Sequence, residues 1–496
     1  MLFNSYIFIF AFLPATLFGC WALSRISRRA ALGYVAAASL VFYGYWEPKY
    51  LALLVPSLLV NFVLGRLIAR TRRKFWLIAG VAGNLAVIGW FKYSLFLYLT
   101  ASGGATPPDF LRGIVLPLGI SFITFQKIAY LVDVWRGHHD ADKFDRFAFF
   151  VLFFPQLIAG PIVLYRYMEP QILRWPPSDR YLRGSLQLGL LFFALGLFKK
   201  VVLADSLAIY ANDVFRFAAL PSYDLDPRDA WIGALAYSLQ LYFDFSGYSD
   251  MAVGLARMFG FKLPMNFNSP YKASGIVDFW RRWHMTLTAF FRNYVYIPLG
   301  GNRNGLAKQL WYIMVVFFLT GLWHGAGWTF IIWGSVHGVL VVINHLWARR
   351  FAPRVRRGVG SIPAVTRAGA VLSRALTLLA VVSLWVVFRA ESWPVAEKIL
   401  RAMFGISGMT YARAFPDSYQ YYVAWSLLAA LWTFVLVAPN SFEFARLARR
   451  WTSRPALRDP SNRRKAWIPA VVAGTALYFA VSGIGVVKSQ FIYFNF

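Results

Sequence analysis

Apolar residues in this chain come in runs of roughly helical membrane-crossing length, separated by short stretches rich in Arg and Lys. Runs begin near Ile7, Ala31, Tyr50, Phe75, Gly113, Leu186, Trp231, Leu310, Gly327, Ala370, Tyr421 and Ile468. About 20 apolar residues carry a helix across the hydrocarbon layer, so the pattern predicts roughly eleven to thirteen spans. The alternating strands of a membrane barrel are absent, which leaves an all-α polytopic membrane protein. Phe147–Val163 is short and interrupted by Pro155 and Pro161. It reads as a re-entrant segment, because broken backbone at membrane depth must be buried in protein or line a cavity. Between Lys262 and Arg303, aromatic residues mix with Arg, Asn and Pro. That is interfacial chemistry, and it predicts one or two helices sunk partly into the cytoplasmic leaflet. If this segment is helical throughout, Trp280 and His284 share one face, as do Arg281 and Thr288.

Composition supports the membrane reading. Of 496 residues 59% are hydrophobic, above the half or so of a soluble protein. The net charge of +30 does not form a nucleic-acid patch, because the cations sit in clusters between apolar runs. Arg25, Arg28 and Arg29 form one; Arg66, Arg70, Arg72, Arg73 and Lys74 a second; Arg349, Arg350, Arg354, Arg356 and Arg357 a third; Arg446 through Lys465 is the richest. The positive-inside rule makes these cytoplasmic, beside anionic lipid. Ala211–Asp229 and Ala390–Gln420, with both termini, then fall outside. Lys199 and Lys200 lie late in an apolar run and are expected to snorkel to the interface. Cys20, the single cysteine, leaves no internal disulfide and no cysteine metal site. The N-terminus reads as a retained first span, not a cleaved signal peptide. With no evident internal repeat, which weighs against a duplicated transporter, the chain reads as one intramembrane domain over residues 1–496.

Chemistry concentrates in Thr320–Gly338, TGLWHGAGWTFIIWGSVHG. An imidazole at membrane depth is costly and therefore commonly functional. Gly321, Gly325 and Gly327 remove bulk near His324, which lets either a substrate or another backbone come close. A purely packing role, with His324 hydrogen-bonded to a neighbouring helix, fits this stretch equally well. Metal chemistry finds no support: His138 and His139 are adjacent, and His337 and His345 are too far apart for the i, i+4 pair of a helical zinc site. There is no Gly-x-Ser-x-Gly elbow and no phosphate-cradling loop with its lysine. What remains are polar residues in apolar surroundings: Gln126, Asp133, Asp244, Ser246, Ser249, Asp250 and Asp278. A histidine suits acyl transfer from a thioester to a hydroxyl, because it is largely neutral near pH 7 and can take the hydroxyl proton. His284 near the cytoplasmic face and His324 at depth could line a passage for the donor.

Several motifs then come together in order: PLGISFITFQKIAYLVDVWRG (Pro117–Gly137), FFPQLIAGPI (Phe153–Ile162), FDFSGYSDMAVG (Phe243–Gly254), NFNSPY (Asn266–Tyr271), DFWRRWHMTL (Asp278–Leu287), GLWHGAGWTFIIWG (Gly321–Gly334) and the FIYFNF ending. The chain resembles the membrane-bound O-acyltransferase superfamily, in particular the bacterial alginate O-acetyltransferase membrane-subunit type, with the core motifs within residues 117–345. The resemblance implies tilted helices around a funnel, with a tunnel joining the two membrane faces. It implies that His324 is the essential active-site residue and that His284 is a second catalytic-site position. Trp323, Asp244, Asp278, Arg281, Arg282 and Asn266 are expected along the substrate path, the arginines near the diphosphate of acetyl-CoA. No permanently bound cofactor is expected. The implied partners are acetyl-CoA, a polysaccharide acceptor, membrane lipid and a periplasmic SGNH-hydrolase-like acetyltransferase, with the chain in a bacterial inner membrane. D-alanyl transfer to a cell-envelope polymer and a non-enzymatic polysaccharide transporter are the alternatives.

Overall fold

The structure is a computed structural model that describes residues 1–141, 143–356, 363–406, 414–415, 418–452, 465–487 and 491–492. Parts of the Arg349–Arg357 and Arg446–Lys465 clusters, of the Ala390–Gln420 loop and of the FIYFNF ending therefore lie outside the described residues. Every described element is helical. The first half runs through α1 (Phe8–Ser24), α2 (Arg28–Gly44), α3 (Leu51–Thr71), α4 (Lys74–Ala101), α5 (Ile120–Trp135) and α6 (Phe144–Leu152). Next come α7 (Tyr165–Arg174), α8 (Asp179–Phe198), α9 (Asp205–Ala219), α10 (Pro227–Met258), and the short α11 (Ile276–Arg282) and α12 (Met285–Phe291). The chain closes with α13 (Leu306–His324), α14 (Trp328–Arg356), α15 (Pro363–Arg389), α16 (Trp393–Met403), α17 (Ser418–Val437), α18 (Ser441–Thr452) and α19 (Ile468–Gly483).

Seven stretches among the described residues are long and apolar enough to cross a membrane, and Phe8–Ser24 and Ile468–Gly483 are shorter apolar helices. This is fewer than the expected eleven to thirteen spans, although each apolar run does fall on a helix. The difference has physical causes. Helices α2 and α5, with 17 and 16 residues, are short of a full crossing. Helix α10 carries Asp229, Asp244, Asp250 and Arg257, which lower its hydropathy.

Helix α10 is the post about which the others stand. Asp226 caps its N-terminus by accepting the Arg228 N–H at 2.8 Å, and Pro227 occupies the first turn, where no N–H is needed. Its residues are buried almost without interruption, as expected of a helix enclosed by protein on all sides. Close packing against α8 depends on glycines. A Cβ on Gly196 would lie 2.5 Å from the Gly247 carbonyl oxygen, and one on Gly254 would lie 2.6 Å from that of Gly189. Helices in lipid associate through such small-residue contacts, since apolar burial alone drives them together weakly.

The segment Phe147–Val163 is buried throughout and breaks at Phe153, as a re-entrant piece enclosed by protein should. The segment after Lys262 departs from expectation. Helix α11 stops at Arg282, Trp283 is extended, and His284 takes a left-handed backbone with φ 41° and ψ 53°. Trp280 and His284 therefore do not share a helix face, nor do Arg281 and Thr288. The break is fixed by two backbone bonds, Asn268 N–H to Arg282 O and Met285 N–H to Asn266 O, both 2.9 Å.

Gly196→Ala should lower the melting temperature of the purified protein, at a cost of about 1–3 kcal/mol, because its neighbour is backbone and cannot step aside. Gly184→Ala, on the same helix with nothing within 4 Å of its added Cβ, should leave the melting temperature unchanged or raise it. Equal effects of the two would refute the close-packing account.

Candidate active site

His324 ends α13, and the next residue, Gly325, is extended. The helix stops here against α14, which turns back along it. A Cβ on Gly321 would sit 2.4 Å from the Phe330 carbonyl oxygen, and one on Gly334 2.5 Å from that of Phe317. The glycines around His324 thus admit another backbone. The last carbonyls of α13 have no partner in a following turn. Tyr93 Oη donates to the Leu322 carbonyl and Lys92 Nζ to the Trp323 carbonyl, both from a π-turn in α4. A cation at a helix C-terminus also opposes the negative end of its dipole.

The His324 ring is 1% exposed. Three aromatic rings meet it edge-on: Trp323 at 4.7 Å between centroids, Trp333 at 5.0 Å and Phe388 at 5.1 Å. Trp333 comes from α14 and Phe388 from the end of α15. The indole N–H groups of Trp323 and Trp333 are buried with no acceptor among the described residues. Unsatisfied donors in a buried site call for an explanation.

His284 also packs against Trp323, with ring centroids 5.8 Å apart. Its Nδ1 is 3.1 Å from Asn266 Oδ1, which also accepts from Thr286 Oγ1 at 2.8 Å and from the Thr286 N–H at 3.3 Å. Ile162 N–H donates to the same Thr286 hydroxyl at 2.9 Å, so that hydroxyl's own proton points to Asn266. An amide oxygen can only accept. His284 therefore donates from Nδ1 and carries its lone pair on Nε2. Burial lowers the His284 pKa to about 3, which keeps the ring neutral near pH 7. Phe245 packs edge-on at 4.8 Å, and Phe122 lies nearly parallel at 6.4 Å. A left-handed backbone at a non-glycine residue is strained, and such strain persists where surrounding bonds hold it.

The residues expected along the substrate path are not all gathered here. His284, His324, Trp323 and Asn266 come together. Asp278 binds the Ser274 N–H at 3.0 Å and Arg282 Nε at 2.9 Å. Burial opposes its ionisation, but these hydrogen bonds win and hold its carboxyl below the usual range. Arg281 is exposed. Asp244 faces away from the histidines. Its Oδ1 is 3.0 Å from Lys200 Nζ, and its Oδ2 accepts the Ile492 N–H at 2.8 Å.

That contact corrects the expectation for the two lysines. Lys200 is 3% exposed and also bonds Asp205 at 2.6 Å. Lys199 bonds Asp250 at 2.7 Å and Ser441 at 2.8 Å. Neither snorkels. A π-turn over Lys199–Ala204 joins α8 to α9 and lies against α10, where intramembrane carboxylates supply better partners than a distant interface. The sequence reading also missed Trp333, Phe388, Lys92 and Tyr93. The tryptophan spacing in α14 was legible; nothing local in sequence announces the other contacts.

Residues 142–382 match the family model described as MBOAT, membrane-bound O-acyltransferase family. The chain is 40% identical to the peptidoglycan O-acetyltransferase of Helicobacter pylori over 443 residues, covering 83% of this chain and 81% of that one. It is likewise 40% identical over 421 residues to the probable alginate O-acetylase AlgI of Azotobacter vinelandii, covering 83% and 79% respectively. A teichoic acid D-alanyltransferase of Streptococcus thermophilus is 29% identical over 242 residues, or 47% of this chain and 58% of that one.

Lys200→Met strands two buried carboxylates and should destabilise the protein by about 3–5 kcal/mol, read as a fall in melting temperature. Adding Asp205→Asn and Asp244→Asn should recover much of the loss; no recovery would show that the network is not the cause. Below about 6.5 an unfolded chain protonates His284, whereas the folded ring stays neutral down to about 3. Stability should therefore fall as pH drops through that window, and His284→Gln should flatten the slope in a pH series of melts.

Proposed function

The chain belongs to the membrane-bound O-acyltransferase family and is a multi-pass membrane O-acyltransferase, and from that premise we propose that it O-acetylates a cell-envelope polysaccharide from a cytoplasmic thioester. The observation that carries the reading is the pair of buried histidines that both pack against the ring of Trp323. Acetyl transfer from a thioester to a hydroxyl needs a base for the hydroxyl proton and donors for the carbonyl oxygen as it gains charge.

In this proposal His324 is the base. It takes the acceptor's proton as the hydroxyl oxygen attacks the acetyl carbon, and the thiolate leaves when the tetrahedral adduct collapses. The buried Trp323 and Trp333 N–H groups, which have no acceptor among the described residues, suit the carbonyl oxygen. The aromatic enclosure excludes water, which strengthens those contacts and suppresses hydrolysis of the thioester. Because the His324 ring is 1% exposed, substrate entry requires the rings of Trp323, Trp333 or Phe388 to move aside. His284, neutral with its lone pair on Nε2, is placed to relay a proton along the same passage.

Acetyl-CoA is the donor in this reading, bound from the cytoplasmic side of a bacterial inner membrane with its phosphates near Arg281 and Arg282. The similarity to alginate and peptidoglycan O-acetylating proteins over more than four fifths of this chain favours a glycan hydroxyl as acceptor. Transfer proceeds directly or through a periplasmic SGNH-hydrolase-like partner. D-alanyl transfer is less favoured, because the similarity to a D-alanyltransferase covers only 47% of this chain.

His324→Ala should reduce release of free CoA thiol from acetyl-CoA by at least about 100-fold while leaving the melting temperature near that of the wild type. Full thiol release from the variant at equal expression would remove His324 from the reaction. Glycan flux without thiol release in the unaltered protein would instead point to a transporter.

A further inference from the structure

The largest cavity described for this protein lies away from the histidines. It encloses about 750 Å³ among α8, the end of α10, α18 and the start of α19. Its walls are mixed: Leu188, Leu191 and Ala470 stand beside Ser185, Gln187 and Thr452, and Arg257 and Arg449 also line it while no described carboxylate does. Arg257 Nε is buried without an acceptor among the described residues. Lys262 adds a third cation nearby, its ammonium 5.5 Å from the ring of Tyr181, which is also in the lining. Burying the Arg257 Nε–H in this cleft without an acceptor is unfavourable unless an anion completes the site. The exposed Arg449 guanidinium at the same cavity adds a second cation for it.

Location narrows the anion. Helix α18 is amphipathic, with buried Ala445 and Ala448 on one side and Arg449 and Arg450 in its last turn. Such a helix lies along the membrane surface, and its cluster falls on the cytoplasmic side by the positive-inside rule. The cavity is therefore at the level of the inner-leaflet headgroups, with Leu188, Leu191 and Ala470 as its apolar lining.

We propose that this cavity is a binding site for an anionic phospholipid of the cytoplasmic leaflet. The phosphate sits between Arg257 and Arg449, where guanidinium forks match phosphate oxygens, and the acyl chains lie along Leu188, Leu191 and Ala470. Occupancy braces α8 against α19 on the flank of the glycine contact between α8 and α10. The site is separate from the proposed donor position near Arg281 and Arg282, and it stands or falls independently of the acetyl-transfer reading.

The test is native mass spectrometry of the purified full-length protein titrated with phosphatidylglycerol and, in parallel, phosphatidylcholine. Phosphatidylglycerol should form the tighter adduct. Arg449→Gln should weaken it about tenfold, and Arg257→Gln with Arg449→Gln further still, each loss being that of a charge-assisted hydrogen bond. Arg449 is exposed, so its single variant keeps the test valid even if Arg257→Gln misfolds. Arg66→Gln with Arg70→Gln, a pair outside the cavity lining, should leave the adduct unchanged. An undiminished adduct in the Arg449 variants would overturn the proposal. So would displacement of the lipid by equimolar CoA or inorganic phosphate, which would mark the cavity as a site for a soluble phosphate.

Discussion

Helix α10 can stand inside the protein only because its carboxylates are neutralised where they lie. Asp244 and Asp250 would be prohibitive at membrane depth alone; each instead meets an ammonium from the π-turn after α8. The partnership works in both directions, since Lys199 and Lys200 would be equally costly without it. It fixes where α8 ends, how α9 begins, and which face of α10 turns toward them. The glycine contacts between α8 and α10 then set the distance, and the remaining helices gather on that frame.

On the opposite side of α10, the same rule of local satisfaction shapes the histidine site. Asn266 accepts from His284 and from both Thr286 donors, and the Thr286 hydroxyl in turn accepts from Ile162. Three separate stretches of chain, around residues 162, 266 and 284–286, are thereby drawn to one place. The only strained histidine backbone in the described chain, at His284, is held by this clasp. His324 is positioned differently, by the end of its helix and by aromatic rings from α14 and α15. The two histidines thus share a wall in Trp323 while being held by unrelated devices.

Two residues show how a polar position in an apolar run has to be read. Asp244 and His324 carried the same sequence signal, an ionisable group at membrane depth. The first proves to be one member of a buried ion network, which neutralises it; the second is surrounded by rings and by indole donors without acceptors among the described residues. Lys200 makes the same point for cations, since snorkelling was expected from its place near the end of a run and a carboxylate claimed it first. Burial cost alone says that a charge needs a partner; it does not say whether that partner is a neighbour, water or a substrate.

By itself the sequence determined that the chain is helical and membrane-embedded, because bilayer thickness and backbone hydrogen bonding leave few other solutions for runs of that length. It also determined the enclosed break near Pro155 and the family, through motifs whose order survives in one dimension. Only the tertiary structure decided which ionisable groups neutralise one another and where α11 breaks to turn His284. It also decided that Phe388, more than sixty residues downstream, closes over His324. Those outcomes depend on which helices come within a few ångströms of each other, and no local pattern encodes that distance.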